Sequence, residues 1–223
     1  MMGKGIDVGQ RRVSSLGREV IRFALSGEAP SKVCVELGPG RGRLAIVLAL
    51  LGFRCYLYDS DPSLAPHYAR INACLREYGD IKFHLMDVRD MGYGDLPEGV
   101  GLVVAERVLH HVRFREAVRI LKVLRNRTLP GGRFFLSFSG LNSPIGEGYP
   151  DRGLPVEERW SPLPPDVGRR YDISGEVCLY TEEDVARLME EVGGMRKVYL
   201  STTAFGNVMA VYEKTPRRTA GRK

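Results

Sequence analysis

The chain has 223 residues, 43% of them hydrophobic and 27% charged, and a formal net charge of +6. That length suits one domain of about 200 residues, or at most two small ones, with enough apolar content to bury a core. The longest apolar run, 44–51, falls far short of the roughly 20 residues a membrane span needs, and no apolar segment follows Lys4, Arg11 and Arg12 to make a signal peptide, so no membrane partner is expected.

Strand-like and helix-like segments then alternate, which predicts an α/β fold with a parallel sheet. A helix over 11–26 carries Val13, Leu16, Val20, Phe23 and Ala24 on one stripe. A buried strand over 32–37 leads into a Gly-rich turn and a helix over 42–51, with Gly52 suited to a left-handed cap. After a second strand, 54–58, Asp61-Pro62 reads as an N-cap followed by proline at the first helical position. A third strand is expected over 81–86 and a fourth over 101–105. A helix over 113–127 buries Phe114, Ala117, Val118, Leu121 and Leu124 and sets Arg115, Arg119 and Lys122 on its outer face. Pro130-Gly131-Gly132 turns the chain into a fifth strand over 133–138.

The segment 140–174 holds six of the 13 prolines, the single tryptophan and no clear periodicity. An unstructured stretch of that length predicts a lid or binding loop, with Tyr149, Trp160 and Tyr171 as substrate-binding residues. Thr181 and Asp184 stand at capping-box spacing and start a further helix, which Gly193-Gly194 ends. Strands over 196–203 and 206–213 follow, then a basic tail at 215–223.

Cys34, Cys55, Cys74 and Cys178 show no C-x-x-C spacing, so a zinc knuckle is not expected, and reduced, mostly buried thiols point to a cytoplasmic protein. The basic balance permits an RNA partner without requiring one.

The chemistry concentrates in Val33-Cys34-Val35-Glu36-Leu37-Gly38-Pro39-Gly40-Arg41-Gly42. A buried strand ends in an acid, a Gly-x-Gly-x-Gly turn follows, and a helix begins. Glycines let the chain turn sharply and let a ligand approach the backbone. A dinucleotide fingerprint places its third glycine at the sixth position, where Arg43 stands here. Glu36 would repel a pyrophosphate but suits a ligand bearing an ammonium or sulfonium cation.

With these residues the chain resembles the class I S-adenosylmethionine (SAM) dependent methyltransferases over roughly 30–140. The resemblance implies a Rossmann-like, doubly wound, mostly parallel seven-stranded sheet, with helices on both faces and an antiparallel C-terminal strand pair, in a single domain over 1–223. It implies that Gly38 and Gly40 pass under SAM, that Glu36 orients its methionine end, and that Asp59 holds the ribose hydroxyls. Asp87 and Val88 stand at the adenine position, and Glu106 and His110 end the fourth strand's motif beside the reactive methyl, where both are candidate catalytic residues and Glu106 is a cofactor-binding residue as well. The run Ala105-Glu106-Arg107-Val108 lacks the Asn/Asp-Pro-Pro-Tyr clamp for exocyclic base amines, and no Pro-Cys nucleophile is present. A small-molecule acceptor is slightly favoured, with RNA or protein as the alternative. The other readings are a non-catalytic SAM-binding module and a nicotinamide-dependent oxidoreductase.

Overall fold

The computed structural model describes residues 13–75, 77 and 79–216; residues 11–12 of the first expected helix and Arg217, Arg218, Arg222 and Lys223 of the basic tail lie outside them. The stripe of the first helix forms α1 (Ser15–Ser26), with Ser14 as N-cap and Gly27 as left-handed C-cap. Then come β1 (Val33–Leu37), α2 (Arg43–Leu50), β2 (Arg54–Asp59), α3 (Ala65–Leu75), β3 (Asp80–Leu85), β4 (Val100–Glu106), α4 (Phe114–Arg127) and β5 (Thr128–Phe138). Two two-residue strands, β6 (Ser161–Pro162) and β7 (Glu176–Val177), flank α5 (Pro165–Tyr171). The chain finishes with α6 (Glu182–Val192), β8 (Met195–Thr202) and β9 (Val208–Lys214).

The main sheet has seven strands in the order β3-β2-β1-β4-β5-β9-β8, the first five parallel and β9 antiparallel to both its neighbours. The pleat sends alternate residues to opposite faces. Val35, Leu37, Val103 and Ala105 pack with Phe114 and Leu121 of α4 and Leu188 of α6. Cys34, Leu102 and Val104 pack with Leu16 and Val20 of α1 and Leu48 of α2. Both faces are covered, which is why the central strands β1 and β4 read as nearly continuous apolar runs. No helix among the described residues is long and apolar enough to cross a membrane.

Most expected elements stand within one or two residues of their predicted ends. The fifth strand does not: it begins at Thr128, and its register against β4 jumps from Val100↔Thr128 to Leu102↔Arg133. Pro130-Gly131-Gly132 is therefore an irregularity inside β5, with Gly131 at φ +80°, and not a turn before it.

The larger correction concerns 140–174, which is folded and not a structureless loop. A 3-10 turn (Pro144–Gly146), α5 and the β6–β7 pair enclose a core of their own that includes Leu141, Ile145, Tyr149, Leu163, Val167 and Ile173. Each element is too short to show a helical or strand period, and Pro164-Pro165 serves to start α5. The unit is tied back by Leu141 N–H to Tyr180 O (2.9 Å), Tyr180 N–H to Ser139 O (3.2 Å) and an Arg159–Asp184 ion pair at 2.5 Å.

Tyr149 belongs to this inner core. It is 3% exposed, and its hydroxyl donates to Val177 O at 2.6 Å. That placement conflicts with a wall presented to substrate. Tyr149→Phe should lose about 1 kcal/mol of stability in urea denaturation and leave acceptor turnover unchanged. A variant of undiminished stability but lower turnover would return Tyr149 to the substrate surface.

Candidate active site

The chain runs outward from β1 to β3, then crosses back to β4 on the other side of β1. The strand order reverses between β1 and β4, and ligands of open α/β sheets bind beyond the carboxyl ends at such a point. Glu36 and Glu106 stand on either side of it. In register Glu36 pairs with Val104, so the pleat puts Glu36 and Glu106 on the same face. Asp59 ends β2, beside Leu85 at the end of β3, and Asp87 follows two residues later. The acids thus line the carboxyl edge in the order Asp87, Asp59, Glu36, Glu106, across three inter-strand steps of about 4.8 Å each.

Glu36 is 6% exposed, and its Oε2 has no hydrogen-bond partner among the described residues. Burial, reinforced by the nearby Glu106 carboxylate, pushes its carboxyl up to about 8. Glu106 accepts a 3.0 Å hydrogen bond from the Ser14 hydroxyl, which in turn accepts from Gly17 N–H. The start of α1 therefore fixes the acid that ends β4.

The Gly-rich turn has Gly38, Gly40 and Gly42 all at positive φ (+60°, +54°, +71°). Gly38 N–H donates to Tyr58 O, and Gly42 N–H closes a turn onto Pro39 O. Tyr68 of α3 anchors it from below, its hydroxyl donating to Gly40 O at 2.8 Å and its ring stacking on Phe83. Arg41 and Arg43 point out and are exposed. Asp59 Oδ1 accepts from Asp61 N–H at 3.0 Å. Asp87 caps the following 3-10 turn, and both its oxygens accept from the Arg89 guanidinium, which holds its carboxyl below the usual range. Val88 is packed into the core.

After β4 a 3-10 turn (Leu109–His111) brings two imidazoles together, with His110 and His111 ring centroids 4.0 Å apart. His110 is 2% exposed, and neither ring nitrogen has a partner among the described residues. Burial, then the His111 and Arg107 charges, push His110 well below its ordinary range; burial and Arg107 take His111 down to about 4. Both rings are neutral at physiological pH. Trp160 is half-buried against the core with the Arg113 guanidinium 5.2 Å over its ring, and Tyr171 packs on the inner core of 140–174.

Over residues 9–193 the chain matches the family described as a methyltransferase domain. It belongs to the class I SAM-dependent methyltransferases. No curated protein matches it in sequence. In fold it is similar to magnesium protoporphyrin IX methyltransferase from Synechocystis with bound S-adenosylhomocysteine (SAH), at 16% identity and a TM-score of 0.64, over 90% of this chain and 82% of that one. A SAM-dependent methyltransferase from Clostridium acetobutylicum gives 10% identity and 0.67, over 90% and 91%. N,N-8-amino-8-demethyl-D-riboflavin dimethyltransferase from Streptomyces davawensis gives 18% and 0.57, over 89% and 55%.

The methyltransferase's own residues fit the cofactor. A buried carboxyl with an unpartnered oxygen, held protonated by its surroundings, is relieved by a cation beside it. Two parts of this site were not foreseen. Ser14 as N-cap starts the helix at Ser15, four residues later than expected, and leaves Val13 of the predicted stripe ahead of it. Tyr68 gave no signal, because its contact with Gly40 exists only once α3 is packed.

Proposed function

We propose that this methyltransferase moves the methyl of SAM to a small-molecule acceptor. In this reading Glu36, Gly38, Gly40, Asp59, Asp87 and Val88 form the cofactor site, and Glu106 and His110 stand beside the transferred methyl. The row of four acids along the carboxyl edge, centred on the switch between β1 and β4, carries the assignment. When bound, SAM supplies a methyl already activated on a sulfonium, so the chain has mainly to hold and align. Glu36 gives up its proton and faces the cation. Asp59 offers two oxygens to a vicinal diol. Glu106 is held in place by Ser14, and neutral His110 takes a hydrogen bond from the acceptor.

Two of the similar structures carry names that specify a porphyrin and a riboflavin derivative, which supports a small acceptor here. In this reading the 140–174 unit would cover the acceptor, with Trp160, packed against the main core, at its edge. Labelled SAM incubated with metabolite, RNA and protein fractions tests the reading: transfer into the metabolite fraction is expected, and transfer only into RNA or protein contradicts it. For the cofactor site, Asp59→Ala should weaken SAM binding by about 1.5–3 kcal/mol in calorimetry, the worth of hydrogen bonds to a charged group. Wild-type affinity would remove Asp59 from the ribose.

A further inference from the structure

We infer that His67 and Tyr68 are positioning residues for the cofactor: adjacent on α3, they hold the Gly40 and Arg41 carbonyls and so set the shape of the Gly-rich turn. This rests on the cofactor site of the methyltransferase reading above and adds to it two residues that act through the turn.

After β2 the chain makes a short 3-10 turn (Pro62–Leu64), capped by Asp61, and runs directly into α3. Tyr68, in the first turn of that helix, is 1% exposed and donates its hydroxyl proton to Gly40 O at 2.8 Å. His67 Nε2 stands 3.1 Å from Arg41 O. A carbonyl only accepts, so this nitrogen carries the proton and donates. Two neighbouring side chains thus hold two consecutive carbonyls. The donors are themselves fixed: the Tyr68 ring stacks on Phe83 at 4.7 Å and meets the His67 ring edge-on at 5.4 Å. Gly42 lies against the same ring, where a Cβ would come within 2.7 Å.

The turn needs such support. Gly38, Gly40 and Gly42 are all at positive φ, and glycine loses more conformational freedom on ordering than any other residue. From the backbone the turn has the Gly38 N–H bond to Tyr58 O and the Gly42 N–H bond to Pro39 O, both at 2.9 Å. Neither engages the Gly40 or Arg41 carbonyl, the two that α3 holds. The Gly40–Arg41 peptide is trans, so drawing the Gly40 oxygen toward α3 turns the Arg41 N–H away from it. A ligand that meets a loop already in its bound shape is spared the cost of ordering it. The same stretch of chain carries Asp59, whose Oδ1 accepts from Asp61 N–H at 3.0 Å. One segment, 59–68, therefore sets both the acid assigned to the ribose and the two carbonyl donors.

A buried tyrosine that donates to a carbonyl stabilises a fold wherever it stands. Tyr149 does so with Val177 O at 2.6 Å, in the inner core of 140–174, and is the matched control. The test compares Tyr68→Phe with Tyr149→Phe in the full chain. Each is titrated calorimetrically with SAM and with SAH at a temperature where it is folded, beside urea denaturation. Both variants should lose stability. Only Tyr68→Phe should lose affinity, about fivefold, and equally for SAM and SAH, because the turn acts by shape and the two ligands differ only in the methyl and its charge. His67→Ala should also weaken both ligands, about threefold, whereas His67→Gln, which keeps an N–H donor, should bind as wild type. The His67 pair decides the matter if Tyr68→Phe does not fold. Wild-type affinity in a folded Tyr68→Phe, or equal binding by His67→Ala and His67→Gln, overturns the proposal and leaves the cofactor site standing. A loss confined to SAM assigns the effect to the cation and also overturns it. A wild-type chain that binds neither ligand overturns the site on which the proposal rests.

Discussion

Glu36→Gln should lower SAM affinity about a hundredfold and make the free protein more stable at pH 9. The two effects have one cause. Glu36 is buried beside Glu106, and its carboxyl is pushed up to about 8 from an ordinary 4.5. Between those values the native state keeps a proton that the unfolded chain has released. Its contribution to stability is therefore full below about 4.5, falls as pH rises through the window, and levels off above about 8. At about 1.4 kcal/mol per pKa unit the loss is roughly 5 kcal/mol. Glutamine has no proton to lose, so thermal melts of the variant should be flatter over that range. SAM affinity behaves oppositely. A cation favours the carboxylate, so wild-type affinity should climb with pH to about 8, while the variant stays weak throughout. Parallel pH profiles of wild type and variant would place the titrating acid elsewhere.

Gly40→Val should give a folded protein that has lost SAM binding by a hundredfold or more. Gly40 sits at φ +54°, which a β-branched residue strongly resists, and its carbonyl is pinned by the Tyr68 hydroxyl, so the turn cannot swing aside. The new side chain would stand in the cofactor's path. Gly42→Ala makes the useful contrast. A Cβ there would lie 2.7 Å from the Tyr68 ring and hydroxyl, inside the protein, so its main effect should be on stability. A well-folded Gly40→Val variant that binds SAM normally, measured by calorimetry, would move the cofactor off this turn.

The order of strands and helices was legible because β1 and β4 are short buried apolar runs and α1, α4 and α6 are amphipathic helices. The α4 stripe of Phe114, Ala117, Val118, Leu121 and Leu124 is buried throughout. The Thr181–Asp184 capping box is present at the start of α6. Asp61 caps a 3-10 turn with Pro62 at its start. The edge acids were legible for a related reason: a polar residue closing a buried strand must lie at the strand's end. What escaped was whatever depends on packing between distant segments. The 140–174 unit hides its core in elements too short for a period, so Tyr149 read as a substrate-binding residue. Two parts of the site arise only when α1 and α3 come against the carboxyl edge. They are the Ser14–Glu106 bond and the Tyr68–Gly40 bond.

The most direct test of the account is a calorimetric titration of the full chain with SAM at pH 7, in two buffers of different ionisation enthalpy. The account predicts one site of micromolar affinity, about −8 kcal/mol, competed by SAH, with release approaching one proton as Glu36 ionises against the cation. A folded protein that takes up no SAM in either buffer would contradict it.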